Sequence, residues 1–241
     1  MKKKKNLILI GILVVMGMLV QPVMAAPSPT EDKQQPETLL FTQFQEWAQK
    51  GDASAFAQYI LKIQQVRTHV SQRCEAGNIL VSRIQTASPI CVSSRMLLRT
   101  DALGNNLLHS AKEVTTVGAV GSLFRTFSSA GFTQINKLKN KKNEAKETPL
   151  IAHISRGDLS SFYQLYEGSN LEKALKARLN IGKDRTSLLF ASSDDILQQE
   201  ILEWGTNAAG TNILSLVEQQ QDSPERTDIL RFLMKNAPSL L

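Results

Sequence analysis

The sequence predicts an all-α protein in which about four to five irregular helix–turn–helix units stack into a short solenoid. One layout recurs from Asp101, Thr148, Asp184 and Asn207: a turn, a short apolar helix start and a second apolar stretch. Within these stretches the apolar residues return every three to four positions, which is the spacing of one helix face. Such units bury their apolar faces only against neighbouring units, so the repeat predicts a stacked scaffold suited to binding.

The first 25 residues have the three-part layout of a secretory signal peptide. Lysines occupy positions 2–5, an apolar run of about fourteen residues follows, and Val23-Met24-Ala25 suits cleavage near Ala25. The run is shorter than the roughly 20 residues that span a bilayer, so an uncleaved anchor is the less favoured alternative. We therefore expect a periplasmic or secreted mature chain. Residues 26–37 hold three prolines and three acidic groups, which predicts a flexible tether.

Removal of this leader brings the chain close to neutrality. The full sequence carries a formal net charge of +6, from 28 basic and 22 acidic residues. Four of the basic residues are leader lysines, so the mature chain has 24 basic against 22 acidic residues, or +2. Nucleic-acid-binding domains usually carry a strong basic patch, and the charge therefore argues against a nucleic-acid partner.

Cys74 and Cys91 are the two cysteines of the chain. In an oxidising compartment we expect them to form one disulfide, which stabilises the fold by roughly 3 kcal/mol in the chain-entropy model. Two unpaired thiols are the alternative. The pair lacks the two-residue spacing of a thiol oxidoreductase, and further ligands for a zinc site do not cluster near it.

The N-terminal part divides into a helical pair and an insertion. Apolar spacing from Leu39 to Ala48 predicts a first helix, Gly51-Asp52 break it, and a longer helix follows. This pair, residues 38–73, is expected to cap one end of the array, since terminal units of repeat proteins are atypical. Residues 74–99 have mixed character and predict an irregular insertion closed by the disulfide.

Four units are expected to follow, from about residues 100, 144, 180 and 206 to the end of the domain at residue 241. In the first unit, Asp101 and Gly104 suit a turn, because aspartate accepts backbone hydrogen bonds and glycine permits a positive φ. In the second unit, Thr148 can cap the helix, and Pro149 suits its first turn, where a missing N–H costs little.

These residues resemble the ankyrin-repeat family, whose units open with a turn, then Thr-Pro-Leu-His and a small residue, with a glycine before the second helix. The resemblance covers about 140 residues, with turn positions at 104, 146, 184 and 210 against a family period of about 33. His153 stands where the family has alanine. The matching positions are Gly104, Leu108, His109, Ala111, Thr148, Pro149, Leu150, Gly157, Thr186, Leu188, Ala191, Gly210 and Leu214.

The histidines are interpreted as structural residues. His109 occupies the position at which the family's histidine binds neighbouring backbone. His153 could be a ligand or a pH-sensitive group, but a packing role is the favoured interpretation. The sequence contains no recognisable cofactor or metal motif, no nucleophile matched with a base and no phosphate-binding loop, so we do not expect an enzyme.

A basic segment from Lys137 to Glu147 is the sharpest local feature. It falls where a finger would project between the first and second units. One hypothesis is that this finger meets an acidic patch on a partner and speeds their encounter; a solvated loop is the alternative. The candidate partner-binding residues are Lys137, Lys139, Lys141, Lys142 and Lys146, together with Asp101, Asn105, Lys183 and Arg185 at neighbouring turns.

The resemblance implies a protein-binding module without a cofactor. The size, leader, disulfide and small number of repeats are similar to those of exported bacterial ankyrin proteins that act as immunity proteins. The first hypothesis is therefore a monomer that binds and restrains a periplasmic peptidoglycan endopeptidase or carboxypeptidase. A periplasmic helper of oxidative-stress defence, associated with catalase, and an exported effector are the alternatives.

Overall fold

The structure is a computed structural model that describes residues 29–69, 74, 78–82, 89–127, 131–181 and 191–236. The predicted signal peptide, residues 1–25, lies outside these ranges. The described chain is mostly helical, as predicted, and adds one two-stranded antiparallel sheet. None of its described helices is both long enough and apolar enough to span a membrane.

The helices and strands follow one another as short elements joined by turns. The N-terminal elements are α1 (Pro29–Lys50), α2 (Ala53–His69), β1 (Asn78–Ser82), β2 (Pro89–Ser93) and a 3₁₀ turn (Ser94–Leu98). The helices that follow are α3 (Leu107–Ser110), α4 (Val114–Phe127), α5 (Gly131–Lys139), α6 (Pro149–Ser155), α7 (Phe162–Tyr166), α8 (Asn170–Ile181), α9 (Ala191–Gly205), α10 (Ile213–Glu218) and α11 (Pro224–Asn236).

Among the described helices, four pairs contact one another in sequence order. The first helices of the pairs contact one another in the order α1, α3, α6 and α10, and among the second helices α2 contacts α4 and α4 contacts α7. The series of second helices continues to α11 through Phe232, whose ring centroid lies 6.0 Å from that of Phe162 and 5.2 Å from that of Tyr166. The buried apolar side chains form a cluster that extends from Leu40 in α1 to Leu233 in α11. The pairs therefore share one core.

Helix α1 begins before the predicted cap, and the flexible tether predicted for residues 26–37 needs correction from Pro29 onward. The Glu37 carboxylate accepts a hydrogen bond from the Ser93 amide at 2.6 Å and pairs with the Arg99 guanidinium at 3.2 Å. These contacts fix the end of the segment. A proline-rich and acidic composition predicts exposure to solvent, but it does not reveal partners that are distant in the sequence. The first helical pair itself is present as predicted.

The insertion at residues 74–99 contains a β-hairpin, which differs from the irregular chain predicted there. Strand β1 pairs antiparallel with β2, and Leu80 lies opposite Cys91. The strands are rich in isoleucine and valine, which suit extended backbone. The predicted disulfide between Cys74 and Cys91 is confirmed, with a Cα–Cα distance of 5.6 Å.

The arrangement after α7 also differs from the predicted third unit at about residue 180. Helix α6 contacts α10 directly, so no first helix lies between them in the described part of the chain. Helices α8 and α9 pack against each other instead, and α8 also contacts α11. The residues expected to open that unit, Lys183, Arg185 and Thr186, lie outside the described ranges.

Candidate partner-binding surface

Turns with the same hydrogen bonds precede α3, α6 and α10. In each, the fourth residue donates its N–H to the carbonyl of the first, as in the bond from Gly104 to Asp101 at 3.0 Å. The fourth residue has a positive φ in every case: 74° at Gly104, 59° at Lys146 and 78° at Gly210. These are the predicted turn positions 104, 146 and 210, and the fourth, at 184, lies outside the described residues.

A capping residue follows each turn two positions after the residue with positive φ. The side chains of Asn106, Thr148 and Asn212 accept hydrogen bonds from backbone amides in the first turn of α3, α6 and α10. Pro149 is the first residue of α6, where its missing N–H leaves no broken helical bond. The turn and the capping residue together fix the direction in which each of these helices begins.

The two central residues of each turn are exposed and mostly small or apolar. We call these residues the turn-tip row: Ala102, Leu103, Glu144, Ala145, Ala208 and Ala209. Leu103 is the largest of them and is 63% exposed. The first two turns are joined directly, because the Glu144 amide donates to the Leu103 carbonyl at 3.0 Å. The first two turns of the row are therefore held to each other through backbone.

Asp101 and Asn105 support this row from within. The Asp101 carboxylate accepts the backbone amides of Leu103 and Asn105 at 2.9 and 2.8 Å. The Asn105 side-chain carbonyl accepts a bond from the Asn143 amide group at 3.0 Å. Both candidate partner-binding residues thus hold the turns in place.

The basic segment is folded against the body and does not form a projecting finger. Lys139 ends α5, and its amine donates to the Glu167 carbonyl at 2.5 Å. The Lys142 amine donates to the Glu203 carbonyl at 3.0 Å and lies 4.6 Å from the centre of the Trp204 ring. Burial lowers the pKa of Lys139, against the opposing effect of nearby carboxylates. These two lysines therefore tie the segment to the end of α7 and to α9.

Three lysines of the segment remain available to a partner. Lys137, Lys141 and Lys146 are exposed, and none of them makes an ion pair with another described residue. Lys137 lies in the last turn of α5, whereas Lys146 occupies the position of positive φ in the second turn. The exposed positive charge of this segment thus lies at the end of α5 and on both sides of the second turn tip in sequence.

His109 links the first unit to the second through backbone. Its Nδ1 accepts the Asn106 amide at 3.2 Å, and its Nε2 lies 2.9 Å from the Glu147 carbonyl. This pattern fits a neutral ring that carries its proton on Nε2. Burial lowers the pKa of His109 to about 4, which keeps the ring neutral at physiological pH.

His153, Asp158 and Ser161 bring together the residue types of a hydrolase triad in a geometry that cannot perform its chemistry. Asp158 Oδ2 lies 2.7 Å from His153 Nδ1 and also accepts the Ser161 hydroxyl at 2.8 Å. His153 Nε2 faces the Leu108 carbonyl at 2.8 Å, and the ring is fully buried. A triad needs the serine at the second ring nitrogen, so this set is an internal clamp.

The clamp joins α6 to the short helix α3. Burial of Asp158 acts to raise its pKa, but hydrogen bonds from His153, Ser160 and Ser161 outweigh this and hold the pKa well below its usual range. The Arg156 guanidinium bonds to the carbonyls of His109, at 2.6 Å, and Ala111. The His153 ring and the Arg156 guanidinium, both from the second unit, thus hydrogen-bond to the C-terminal carbonyls of α3. The sequence identified His153 but gave no sign of its partners.

A polar groove of about 410 Å³ lies on the turns that connect α6 to α7 and α10 to α11. Two of its carboxylates already have partners: Asp158 is bound in the clamp, and Asp222 pairs with Arg226. No group of three potential metal-binding side chains was found among the described residues. The groove therefore does not bring a reactive set of side chains together.

Comparison with protein-family models, with curated proteins and with solved structures finds no match to this chain. The fold and its surface therefore define only a class of protein. It is a mostly helical, disulfide-linked protein in which the described residues contain three equivalent turns, each before a helix.

Proposed function

We propose that this chain is an irregular ankyrin-repeat protein that binds another protein through the turn-tip row. The observation that carries the proposal is the equivalence of the three turns, each with the same hydrogen bonds and the same positive φ. The ordered contacts among the first helices add support. A surface that is already rigid loses little conformational entropy when a partner binds, so its contacts contribute more fully to affinity.

The partner surface is proposed to be acidic where it meets the second turn. Lys137, Lys141 and Lys146 are the exposed cations beside this turn, and Glu144 is the one exposed acid between them. Charge complementarity of this kind mainly raises the rate of association and weakens with added salt. The neighbouring Leu103 supplies apolar area that the partner can cover.

For the identity of the partner we propose a periplasmic peptidoglycan endopeptidase or carboxypeptidase, which the chain would bind and restrain as an immunity protein. The support is the resemblance to exported ankyrin proteins, together with the predicted leader and the confirmed disulfide. This step is an analogy between folds and depends on a direct binding test.

The test combines binding with enzyme activity. The oxidised protein is used to capture its partner from the envelope fraction of the producing cell, and release of soluble fragments from purified peptidoglycan is then measured with and without it. We expect a stoichiometric complex and a slower release of fragments. Capture of no such hydrolase, together with unchanged release, would contradict the proposal. A deletion strain that is sensitive to peroxide but not to lysis would favour the catalase-associated alternative.

The binding face is tested by reversing charges. A variant with Lys137, Lys141 and Lys146 all changed to glutamate should associate roughly tenfold or more slowly at low salt, with a smaller effect at high salt. The matched control carries the same change in net charge at exposed lysines elsewhere: Lys62, Lys112 and Lys235. Equal slowing of both variants would show that net charge acts and that the turn-tip row is not the contact surface.

A further inference from the structure

Two histidines lie at the contact between α3 and α6, and their ring nitrogens face different kinds of atom. Nδ1 of His109 accepts a hydrogen bond from the Asn106 amide at 3.2 Å, so this nitrogen carries no proton. Both nitrogens of His153 face oxygen atoms instead. Nδ1 lies 2.7 Å from Oδ2 of Asp158, and Nε2 lies 2.8 Å from the Leu108 carbonyl. The two rings therefore fit different protonation states.

Neither oxygen that faces His153 supplies a proton of its own. A backbone carbonyl has none. Asp158 is ionised at neutral pH, since burial acts to raise its pKa but hydrogen bonds hold the pKa well below its usual range. The hydroxyls of Ser160 and Ser161 already donate to the two carboxylate oxygens, at 2.7 and 2.8 Å. Both contacts of His153 therefore need a proton from the ring.

The imidazolium form of His153 is the form that satisfies both contacts. A neutral ring carries one N–H and one lone pair, whereas an imidazolium carries two N–H groups. A neutral His153 would place its lone pair against either the carboxylate or the carbonyl. The side chain is fully buried, so an acceptor that loses its donor there carries the cost of its desolvation.

The charged groups near His153 come from α3, from the end of α6 and from the turn that follows it. His109 of α3 is neutral at physiological pH, because burial lowers its pKa to about 4. Arg156 is positive and is bound to the carbonyls of His109 and Ala111, and Asp158 is the negative group in contact with the ring. Helices α5, α7 and α10 also contact α6, and their titratable side chains are exposed or hold other contacts: Lys137, Lys139, Tyr163, Tyr166 and Glu218.

We propose that His153 is a pH-sensitive link between the first two units, which joins Asp158 to α3 as an imidazolium and gives up one of these two hydrogen bonds when the ring loses a proton to solvent. The link is therefore closed on the acid side of the ring's titration, and α3 is held less tightly to α6 on the basic side. The bonds from Arg156 do not depend on this proton, so the two units stay attached. This behaviour is independent of the proposed partner.

The lost hydrogen bond sets the size of the effect. A buried acceptor left without its donor shifts the equilibrium between the closed and the open link by roughly fivefold or more. Two amides report on the link: Ala111 donates to the Leu107 carbonyl at 3.0 Å, and Asp158 donates to the His153 carbonyl at 2.9 Å. Their protection from hydrogen exchange should fall by that factor when the ring is deprotonated.

The test is nuclear magnetic resonance of the oxidised protein over the range in which histidines titrate, about pH 5 to 8. The nitrogen shifts of the His153 ring report its protons directly. We expect both ring nitrogens to carry protons at the acid end, and the protection of the Ala111 and Asp158 amides to fall with the same midpoint as the ring. The Thr227 amide in α11 should keep its protection. A ring with one bare nitrogen throughout, a ring with two protons throughout, or reporter amides that do not follow the ring would each overturn the link.

Two glutamine variants provide the matched control. His153→Gln removes the titrating ring, whereas His109→Gln replaces a ring that is already neutral and so leaves the charge around His153 unchanged. The pH-dependent change at Ala111 should disappear in the first variant and persist in the second. An equal response in both variants would overturn the link. If His153→Gln does not fold, the titration of the unsubstituted ring still decides between these outcomes.

Discussion

Alanine substitution at two turn glycines distinguishes the energetic cost of backbone strain from the cost of a steric clash. Gly210 has a φ of 78°, and a Cβ added there would meet no atom within 4 Å. Gly104 has nearly the same φ of 74°, but its Cβ would lie 2.9 Å from the Glu144 nitrogen and 3.2 Å from the Asn143 Cα. Those atoms belong to the backbone of the neighbouring turn and cannot rotate away as a side chain would.

The magnitudes follow from these two geometries. The left-handed conformation costs a non-glycine residue about 1–2 kcal/mol, and alanine recovers about 0.5–1 kcal/mol through the lower entropy of the unfolded chain. We therefore expect Gly210→Ala to destabilise the protein by about 0.5–1 kcal/mol. Gly104→Ala must also displace the second turn, and overpacking adds about 1–3 kcal/mol, which gives a total of about 1.5–4 kcal/mol.

The reverse substitution, to glycine, can be made in the second turn, because Lys146 has the same left-handed conformation with a φ of 59°. Lys146→Gly removes the strain, and the net gain is expected to be about 0.5 kcal/mol after the entropy of glycine is subtracted. Urea unfolding of the oxidised protein, followed by circular dichroism, measures the order of stabilities. Equal losses at Gly104 and Gly210 would refute the contact between the turns, and a loss in Lys146→Gly would refute the strained backbone at that position.

Three further outcomes are expected. Stability should fall in two stages on acidification. The first lies between about pH 6.5 and 4, because burial lowers the native pKa of His109 to about 4. The second lies below about pH 4, because the native pKa of Asp158 is also lowered. His109→Gln should remove the first stage from the pH dependence of the unfolding free energy. Asp158→Asn should reduce the second stage, to which Asp52 and Glu172 also contribute because hydrogen bonds lower their pKa values. Phe124→Ala empties a fully buried site in α4 and should cost about 3–5 kcal/mol in urea unfolding, where a loss below 1 kcal/mol would contradict the packing. Lys142→Ala should shift the fluorescence of Trp204 but change stability by less than about 1 kcal/mol, since the ion pair it removes is partly exposed.

The turns and helix starts are the parts of this structure that the sequence encodes locally. Asp101 and Asn106 accept hydrogen bonds from backbone amides within five residues, and Gly104 has a positive φ, so their residue types alone indicate these local roles. The same holds for Thr148, which caps α6 through a bond to Ile151 three residues later. Patterns of this length are visible in one sequence without any knowledge of the tertiary structure.

Apart from the β-hairpin, the corrections arise from contacts between distant residues. Lys139 and Lys142 find carbonyl partners 28 and 61 positions away, and a charge pattern cannot distinguish such lysines from the exposed Lys141. Glu37 is fixed by Ser93 and Arg99 after a comparable separation. The direct contact between α6 and α10 is absent from the predicted order of units for the same reason, because only tertiary packing shows which segments are neighbours.

The fixed positions of the free lysines bear on selectivity for a partner. Lys142 is held by Glu203 and Trp204, so an acidic partner gains nothing from it without first breaking those contacts. The usable charges are therefore Lys137, Lys141 and Lys146, placed on a helix end, a connecting segment and a rigid turn. A partner whose acids do not match this spacing leaves charges unpaired, and unpaired charges at an interface oppose binding. Under the proposed binding function, the second of the described turns, with a lysine where the other two have glycine, favours one dedicated partner over many.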